Sequence, residues 1–276
     1  MTFIICEIGS NWSDLEDCLI SIVAAKNAGA DAVKFQLYTW LEMYGEYPPM
    51  TEKAMLPGEL PPEWLPTLKA KADEVGIEFM CTAFSPQGVR LVDPHVKRHK
   101  IASSDITALD ILQTAAATKK PIILSCGAAS QYQINMAMMH IHMVRNDLDL
   151  TLLYCVSSYP ANKVDLRKID ALRDHWQVPV GYSDHTVDDT YIPWAAVHNH
   201  GATVIEKHVN FVGAAGPDSP HSLSGHEFKH MVQMIREPSQ PHIGPTAEEA
   251  DMIKWHQRRL IEVDGKLGYY RIRPNA

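Results

Sequence analysis

Short apolar, β-prone runs recur along the chain. They cover Phe3–Ile8, Ala32–Leu37, Ile77–Thr82, His99–Ser103, Pro121–Cys126, Leu150–Cys155, Val178–Ser183 and Thr203–His208. Near-continuous apolarity over a short run marks strands buried on both faces, as in a parallel sheet. Helical patterns lie between them. Ser13 with Glu16 predicts a capping box ahead of Leu15, Leu19, Ile22 and Val23, and Gly29 marks the stop. Further helices are predicted over Pro62–Val75, Leu109–Ala117, Ser130–Met143, Asp165–Asp174, Asp188–His198 and Ser224–Ile235. Ser224 and Glu227 form a second capping box at the start of the last one. Eight strands alternating with helices predict an α/β fold, a (β/α)8 or TIM barrel. The alternative is a doubly wound open sheet. That fold usually opens on a Gly-rich turn, whereas the first turn here reads Gly9-Ser10-Asn11-Trp12.

Two segments break the rhythm. Tyr38–Pro61 is long, Pro-rich and aperiodic, and it follows the second strand. Such a loop reads as functional, for example a lid, or as a passive insertion. Glu237–Gly244 reads as a linker. The domain reading is therefore a catalytic barrel over residues 1–237 and a C-terminal part over 238–276. The latter comprises the linker, a short capped helix from Thr246 with Glu249, and a hairpin at Asp264-Gly265.

Composition narrows the classes. With 46% hydrophobic and 21% charged residues, disorder and coiled coils are excluded. A net charge of -8 argues against nucleic acid as the main partner, while leaving room for local pockets that take small anions. No apolar run approaches the length of a membrane-spanning helix. The first residues lack a basic region and their apolarity ends at Glu7, unlike a signal peptide. The 5 cysteines are odd in number and form no CxxC pair, so neither a disulfide framework nor a zinc site is expected. A reducing cytoplasm fits. Buried inert thiols are the ordinary reading, and Cys126 beside Gly127 is the one candidate nucleophile.

Chemistry in such a barrel happens where strands end. The polar residues there are Glu7; Lys34 and Gln36; Thr82; Lys100 and Ser103; Ser125; Ser157 and Tyr159; Ser183 and His185; and Glu206, Lys207 and His208. Lysines inside apolar strands are costly to bury unless paired or facing a polar cavity. Lys34 and Lys100 with nearby hydroxyls and the Gly127 amide suggest a phosphate or carboxylate pocket; salt-bridged structural lysines are the alternative. His185 and His208 end neighbouring strands and suit a shared divalent metal with open positions, or else serve as hydrogen-bonded polar groups. His221 and His226 read as surface residues.

Several stretches, in order along residues 3 to about 237, are similar to the N-acetylneuraminate (sialic acid) synthases and their pseudaminic and legionaminic acid relatives. They are Glu7-Ile8-Gly9-Ser10-Asn11, Gly29 to Gln36, Lys100-Ile101-Ala102-Ser103, Pro121 to Gly127, Tyr159-Pro160, Gly181-Tyr182-Ser183-Asp184-His185-Thr186 and Ile205-Glu206-Lys207-His208. The resemblance implies a barrel that joins phosphoenolpyruvate to an aldose such as an N-acetylmannosamine. The products are a nonulosonic acid and phosphate. It further implies that Lys34, Lys100, Ser103, Ser125, Gly127 and Ser183 hold phosphoenolpyruvate, with Ser157 where the family often has Asn. His185 and His208 would bind a divalent metal, manganese ahead of magnesium or cobalt. Gln36, Thr82, Tyr159 and Asp218 would line the sugar site, with Glu7 or Asp105 managing a water proton. A homodimer is implied as well.

The departures are Trp12 for His, and Ser104-Asp105 for Gly-Glu. The residues after 237 are also too few for the family's antifreeze-protein-like domain. Arg273-Pro274-Asn275 resembles an Arg-Pro-Gly of that domain, which reaches the sugar across the dimer. Competing functions are a metal-dependent aldolase or lyase on a related sugar, and a non-catalytic binding relative.

Overall fold

Eight parallel strands close on themselves. In chain order they are β1 (Phe3–Gly9), β2 (Ala32–Leu37), β3 (Glu78–Ala83), β4 (His99–Ile101), β5 (Ile122–Ser125), β6 (Leu150–Cys155), β7 (Val180–Asp184) and β8 (Val204–Asn210). Each pairs with the next, and β1 also pairs with β8, which closes the ring and excludes the open sheet. A short strand, β9 (Leu223–Ser224), lies against β8. This (β/α)8 barrel comes from a computed structural model that describes residues 1–45, 58–147, 149–187, 190–237, 258–263 and 266–271. Residues 46–57 of the Tyr38–Pro61 segment, the helix expected from Thr246, and Arg273 lie outside the described residues.

The helices are α1 (Leu15–Asn27), α2 (Trp40–Tyr44), α3 (Leu65–Val75), α4 (Pro86–Val92), α5 (Leu109–Ala117), α6 (Gln131–Val144), α7 (Arg167–Trp176), α8 (Tyr191–His198) and α9 (Gly225–Arg236). The predicted bounds of β2, β6 and α5 coincide with those observed. Elsewhere local chemistry shifts them. Asp14, not Ser13, caps α1: its carboxylate accepts from Asp17 N at 3.0 Å, and the Asp17 carboxylate reaches back to Ser13 N at 2.9 Å. The predicted box is thus displaced by one residue. Ser224 and Glu227 do close their box: Ser224 N donates to Glu227 Oε2 at 2.8 Å, and Glu227 N donates to Ser224 Oγ at 3.4 Å. Helix α4 was not foreseen because it is short and contains Gly88; its signals are Ser85, whose side chain accepts from Gly88 N, and Pro86 in the first turn. β4 stops at Ile101, and Ser103–Thr107 forms a 3-10 turn instead of continuing the strand.

Residues alternate between the lumen and the helices, as strand geometry requires. Ile5, Ala32, Met80, Ile123, Leu153 and Val204 pack inside the barrel, with Phe3 against them. Two residues further along most of these strands stand Glu7, Lys34, Thr82, Ser125, Cys155 and Glu206. The lumen therefore holds an apolar layer below and a polar layer above. Gly181 lines the same space: a Cβ there would overlap Val204 O and Leu153. The outward faces of the strands, among them Phe35, Phe79, Leu124, Leu152, Tyr182 and Ile205, form the main core with Ile22, Leu68, Leu112, Ile141, Ile169 and Phe228 from the helices. Each such side chain contributes about 1.5–3 kcal/mol by leaving water.

The chain divides into two compact units, Met1–Arg236 and Glu237–Ala276. In the second, β10 (Arg258–Val263) pairs antiparallel with β11 (Lys266–Arg271), Val263 opposite Lys266. These are the arms predicted around Asp264-Gly265. No helix among the described residues is long and apolar enough to cross a membrane.

Lys207 belongs to the frame and not to the lumen. It alternates outward between Glu206 and His208, is 0% exposed, and its Nζ donates to Asp184 Oδ2 at 2.6 Å. Asp184 also accepts from Tyr182 Oη at 2.8 Å and from Thr186. Removing one partner of a buried pair strands the other charge, at about 3–5 kcal/mol. Lys207→Met should lower stability by that amount in urea unfolding; a loss under about 1 kcal/mol would show that Asp184 finds other compensation.

Candidate active site

The strand ends open into a cavity of about 530 Å³. Its floor is a set of buried charges. Lys34 sits in ion-pair contact with Glu7 and donates to Thr82 Oγ1 at 3.0 Å. Glu206 lies between the two lysines, 3.6 Å from Lys34 Nζ and 3.5 Å from Lys100 Nζ, and accepts from Ser183 Oγ at 3.0 Å. Gln36 Nε2 donates to Glu7 Oε1 at 3.1 Å. Register explains the convergence: Glu7 is level with Lys34 on one side and with His208 on the other.

The electrostatics separate the two carboxylates. Burial raises the Glu7 carboxyl, the Lys34 ammonium opposes it, and Glu206 raises it further; the net direction is up. Burial also works against the Glu206 charge, but Lys100 and Lys34 outweigh it and hold that carboxyl down. Glu206 is the fixed anion, and Glu7 is the carboxylate poised to exchange a proton.

A rim of neutral donors surrounds this floor. Ser103 and Ser157 share a hydrogen bond at 3.2 Å. Gly127 is required beside them, because a Cβ would overlap Ser157 Oγ and Cys155 Sγ. Ser125, Ser183, Tyr159 and Asp218 also line the cavity. The predicted site residues thus come together, with two exceptions. Arg273 lies outside the described residues. Asp105 does not reach the cavity. A 3-10 turn has three residues per turn, so residues i and i+3 share a face. Ser103 and Ile106 line the cavity, as do Ser104 and Thr107, while Asp105 and Ala108 share the third face and line a neighbouring hollow.

Two histidines carry the chemistry of metal ligands. His185 Nδ1 is 2.7 Å from Val156 O, which fixes it as the N–H and leaves Nε2 as a lone pair. Burial lowers the basicity of both rings, that of His208 to about 3, so both are neutral imidazoles at neutral pH. Their rings stand 6.0 Å apart. These residues fit a divalent cation. His221 corrects the expectation of a surface residue: it is buried at 7% exposure, its ring 5.0 Å from that of His208. No local signal marks it: Asp218-x-x-His221 sits in the loop that follows β8. Cys126 is inert. It faces the helices, donates to Leu153 O at 3.1 Å, and burial pushes its thiol up to about 12.

Residues 21–243 match the model of the NeuB family. The chain belongs to the NeuB family. It is 38% identical over 256 residues to an N,N'-diacetyllegionaminic acid synthase of Legionella pneumophila, covering 85% of this chain and 71% of that one. A pseudaminic acid synthase of Helicobacter pylori is 32% identical, over 85% of this chain and 73% of its own. A crystal structure of an N-acetylneuraminic acid synthetase from Leptospira borgpetersenii superposes with a TM-score of 0.78 at 32% identity, covering 92% of this chain and 90% of that one. Within this NeuB barrel, the lysine–glutamate floor is the part that any anionic substrate must meet.

Burial raises the Asp105 carboxyl to about 6, against Lys100 and Ser104. The folded chain then keeps a proton that the unfolded chain releases near pH 3.9, so this group costs stability as pH rises from about 4 to 6. Asp105→Asn should therefore raise the stability at pH 8 by about 2–3 kcal/mol, with the gain vanishing towards pH 4. Thermal unfolding across that range measures it; a pH-independent difference would refute the assignment.

Proposed function

We propose that this NeuB-family chain condenses phosphoenolpyruvate with an N-acetylmannosamine-like aldose to give a nonulosonic acid and inorganic phosphate. The observation that carries the reading is the pair of buried lysines that share Glu206, with the proton-bearing Glu7 beside Lys34, at the mouth of an otherwise apolar lumen. Two ammonium groups against one fixed carboxylate leave a positive site enclosed in low dielectric, ringed by hydroxyls and the Gly127 amide. A small phosphorylated carboxylate satisfies it.

The residues then divide the work. Lys34, Lys100, Ser103, Ser125, Gly127, Ser157 and Ser183 hold phosphoenolpyruvate. Gln36, Thr82, Tyr159 and Asp218 orient the aldose. C3 of the enol attacks the aldehyde carbon and forms the new carbon–carbon bond, and the aldehyde oxygen takes up the proton that Glu7 carries, which leaves Glu7 ionised for the next step. Water adds at C2, its proton passes to Glu7, and the tetrahedral adduct expels phosphate into the lysine pocket, where fixed charges meet the charge that develops. Glu7 takes this role in preference to Asp105 because it lines the cavity. A divalent cation, manganese in this reading, is held by His185 and His208 and supplies Lewis-acid polarisation of the aldehyde oxygen when bound. The working compartment is the cytoplasm, in keeping with five buried free cysteines. The working form is a homodimer, in which Arg273 of the C-terminal segment reaches a partner's sugar site; a guanidinium fork suits paired sugar oxygens.

Incubating the protein with phosphoenolpyruvate, Mn2+ and a panel of aldoses tests the activity. Phosphate release and a new acid of the condensed mass should depend on all three. Lys100→Ala should weaken phosphoenolpyruvate binding by about 1.5–3 kcal/mol, the scale of a charge-assisted hydrogen bond; unchanged affinity in calorimetry would remove Lys100 from the pocket. Arg273→Ala should raise the Michaelis constant for the aldose while leaving phosphoenolpyruvate binding intact, and unaltered sugar kinetics would mean that the segment is inert.

A further inference from the structure

His208, two residues before the end of β8, lines the cavity, and the chain then leaves the barrel and returns. A 3-10 turn, Ser219–His221, brings His221 back over the mouth, where its ring lies 4.8 Å from that of Tyr159. Asp218 stands between the two imidazoles. Its Oδ2 is 3.9 Å from His208 Nδ1, and its Oδ1 is 3.4 Å from His221 Nε2. Neither approach is a hydrogen bond. Both nitrogens are buried polar atoms without a partner. One donor atom from each of the three residues lies within 4.8 Å of the other two.

Two orphaned buried nitrogens beside a carboxylate form a costly arrangement. A hydrogen-bonded triad would have used the same atoms at shorter range. A cation offers a single partner to all three. Ligand atoms about 2.1 Å from an ion at tetrahedral to octahedral angles stand about 3–3.5 Å from one another. The two separations to the Asp218 carboxylate, 3.9 and 3.4 Å, come within a few tenths of an ångström of that range, and His185, its ring 6.0 Å from that of His208, stands beside this trio. The carboxylate is also anchored from behind, as metal-binding carboxylates usually are. Ser10 N and Ser10 Oγ donate to Asp218 Oδ2 at 2.8 and 2.9 Å. Gly9, at φ +56, makes room for it, since a Cβ there would overlap that oxygen.

We infer that Asp218 and His221 join His185 and His208 as ligands of the divalent cation. The cation site is then built from two strand ends and the loop after β8, and not from two strand-end imidazoles alone. This deepens the reading given above and rests on its cation. Four protein donors leave two positions of an octahedral sphere for substrate and water. A set with three nitrogens favours Mn2+, Co2+ or Fe2+ over Mg2+ and Ca2+.

The test uses the full chain stripped of metal with a chelator. Mn2+ binding is followed by calorimetry, and the Co2+-loaded protein by its visible absorption. His221→Asn should weaken Mn2+ at least tenfold and change the Co2+ spectrum, while the metal-free protein keeps its circular dichroism and its unfolding midpoint. Affinity within twofold of the parent, with an unchanged Co2+ spectrum, overturns the inference. If the parent binds no divalent cation, the cation of the proposed function falls with it. If the parent binds and only His185→Asn weakens binding, the two-imidazole site stands and this inference alone fails. Should His221→Asn not fold, pulsed electron resonance of the unmodified Mn2+ protein with nitrogen-15 histidine decides: three coordinated imidazoles support the inference, and two overturn it.

Discussion

Glu206 holds two ammonium groups at the end of an apolar lumen, and the rest of the site is arranged around that fact. Lys34 and Lys100 are both buried, and neither could remain charged there without a nearby anion. Glu206 serves both, at 3.6 and 3.5 Å, and Lys34 also touches Glu7. Sharing leaves a surplus of positive charge, because the second carboxylate, Glu7, is pushed towards its neutral form by burial and by Glu206 itself. The floor is therefore stable enough to fold while still unsatisfied electrostatically. An anionic substrate completes it, and this is how a structural solution to burying lysines becomes a binding site.

The barrel makes this arrangement possible through period-two alternation. The same inward face that presents Ile5, Ala32 and Val204 to the closed half of the lumen presents Glu7, Lys34 and Glu206 to the open half. A slip of one residue in any strand would send its charge into the layer under the helices. Lys207 shows what that costs: facing outward, it needs Asp184 as a dedicated partner, with Tyr182 and Thr186 supporting the carboxylate. Fixed partners make Lys207 rigid and unavailable, whereas Lys34 and Lys100 share theirs and stay receptive.

Much of this is legible in the sequence because alternation and strand ends are local signals. The eight runs, the strand-end polar residues and the joint presence of Lys34, Lys100, His185 and His208 follow from spacing alone once a barrel is assumed. What escapes the sequence depends on geometry with another period. Asp105 looks equivalent to Ser103 and Ser104 until the segment becomes a 3-10 turn, which faces it away from them. His221 looks like a loop residue because its burial depends on the chain doubling back after β8, a long-range event that no local pattern encodes. Helix α4 is hidden by its glycine, and the cap of α1 moves by one residue because the Asp14 carboxylate takes the Asp17 amide.

The neutral rim makes a final distinction between strength and selectivity. Ser103 and Ser157 hydrogen-bond each other, Gly127 is kept bare by the crowding of Ser157 and Cys155, and Ser125 Oγ is buried without a partner. Hydroxyls rotate, so each can donate to whichever oxygen a substrate presents, and an unpaired one gains a bond on binding that it lacked before. The lysines attract any small anion at a range set by screening. Only a ligand with oxygens spaced to reach both the ammonium floor and these hydroxyls recovers the cost of the unpaired donors, since a buried polar group left unsatisfied is worth more than the net gain of an ordinary hydrogen bond. Discrimination among anions thus rests on the uncharged residues, although the charged ones dominate the attraction.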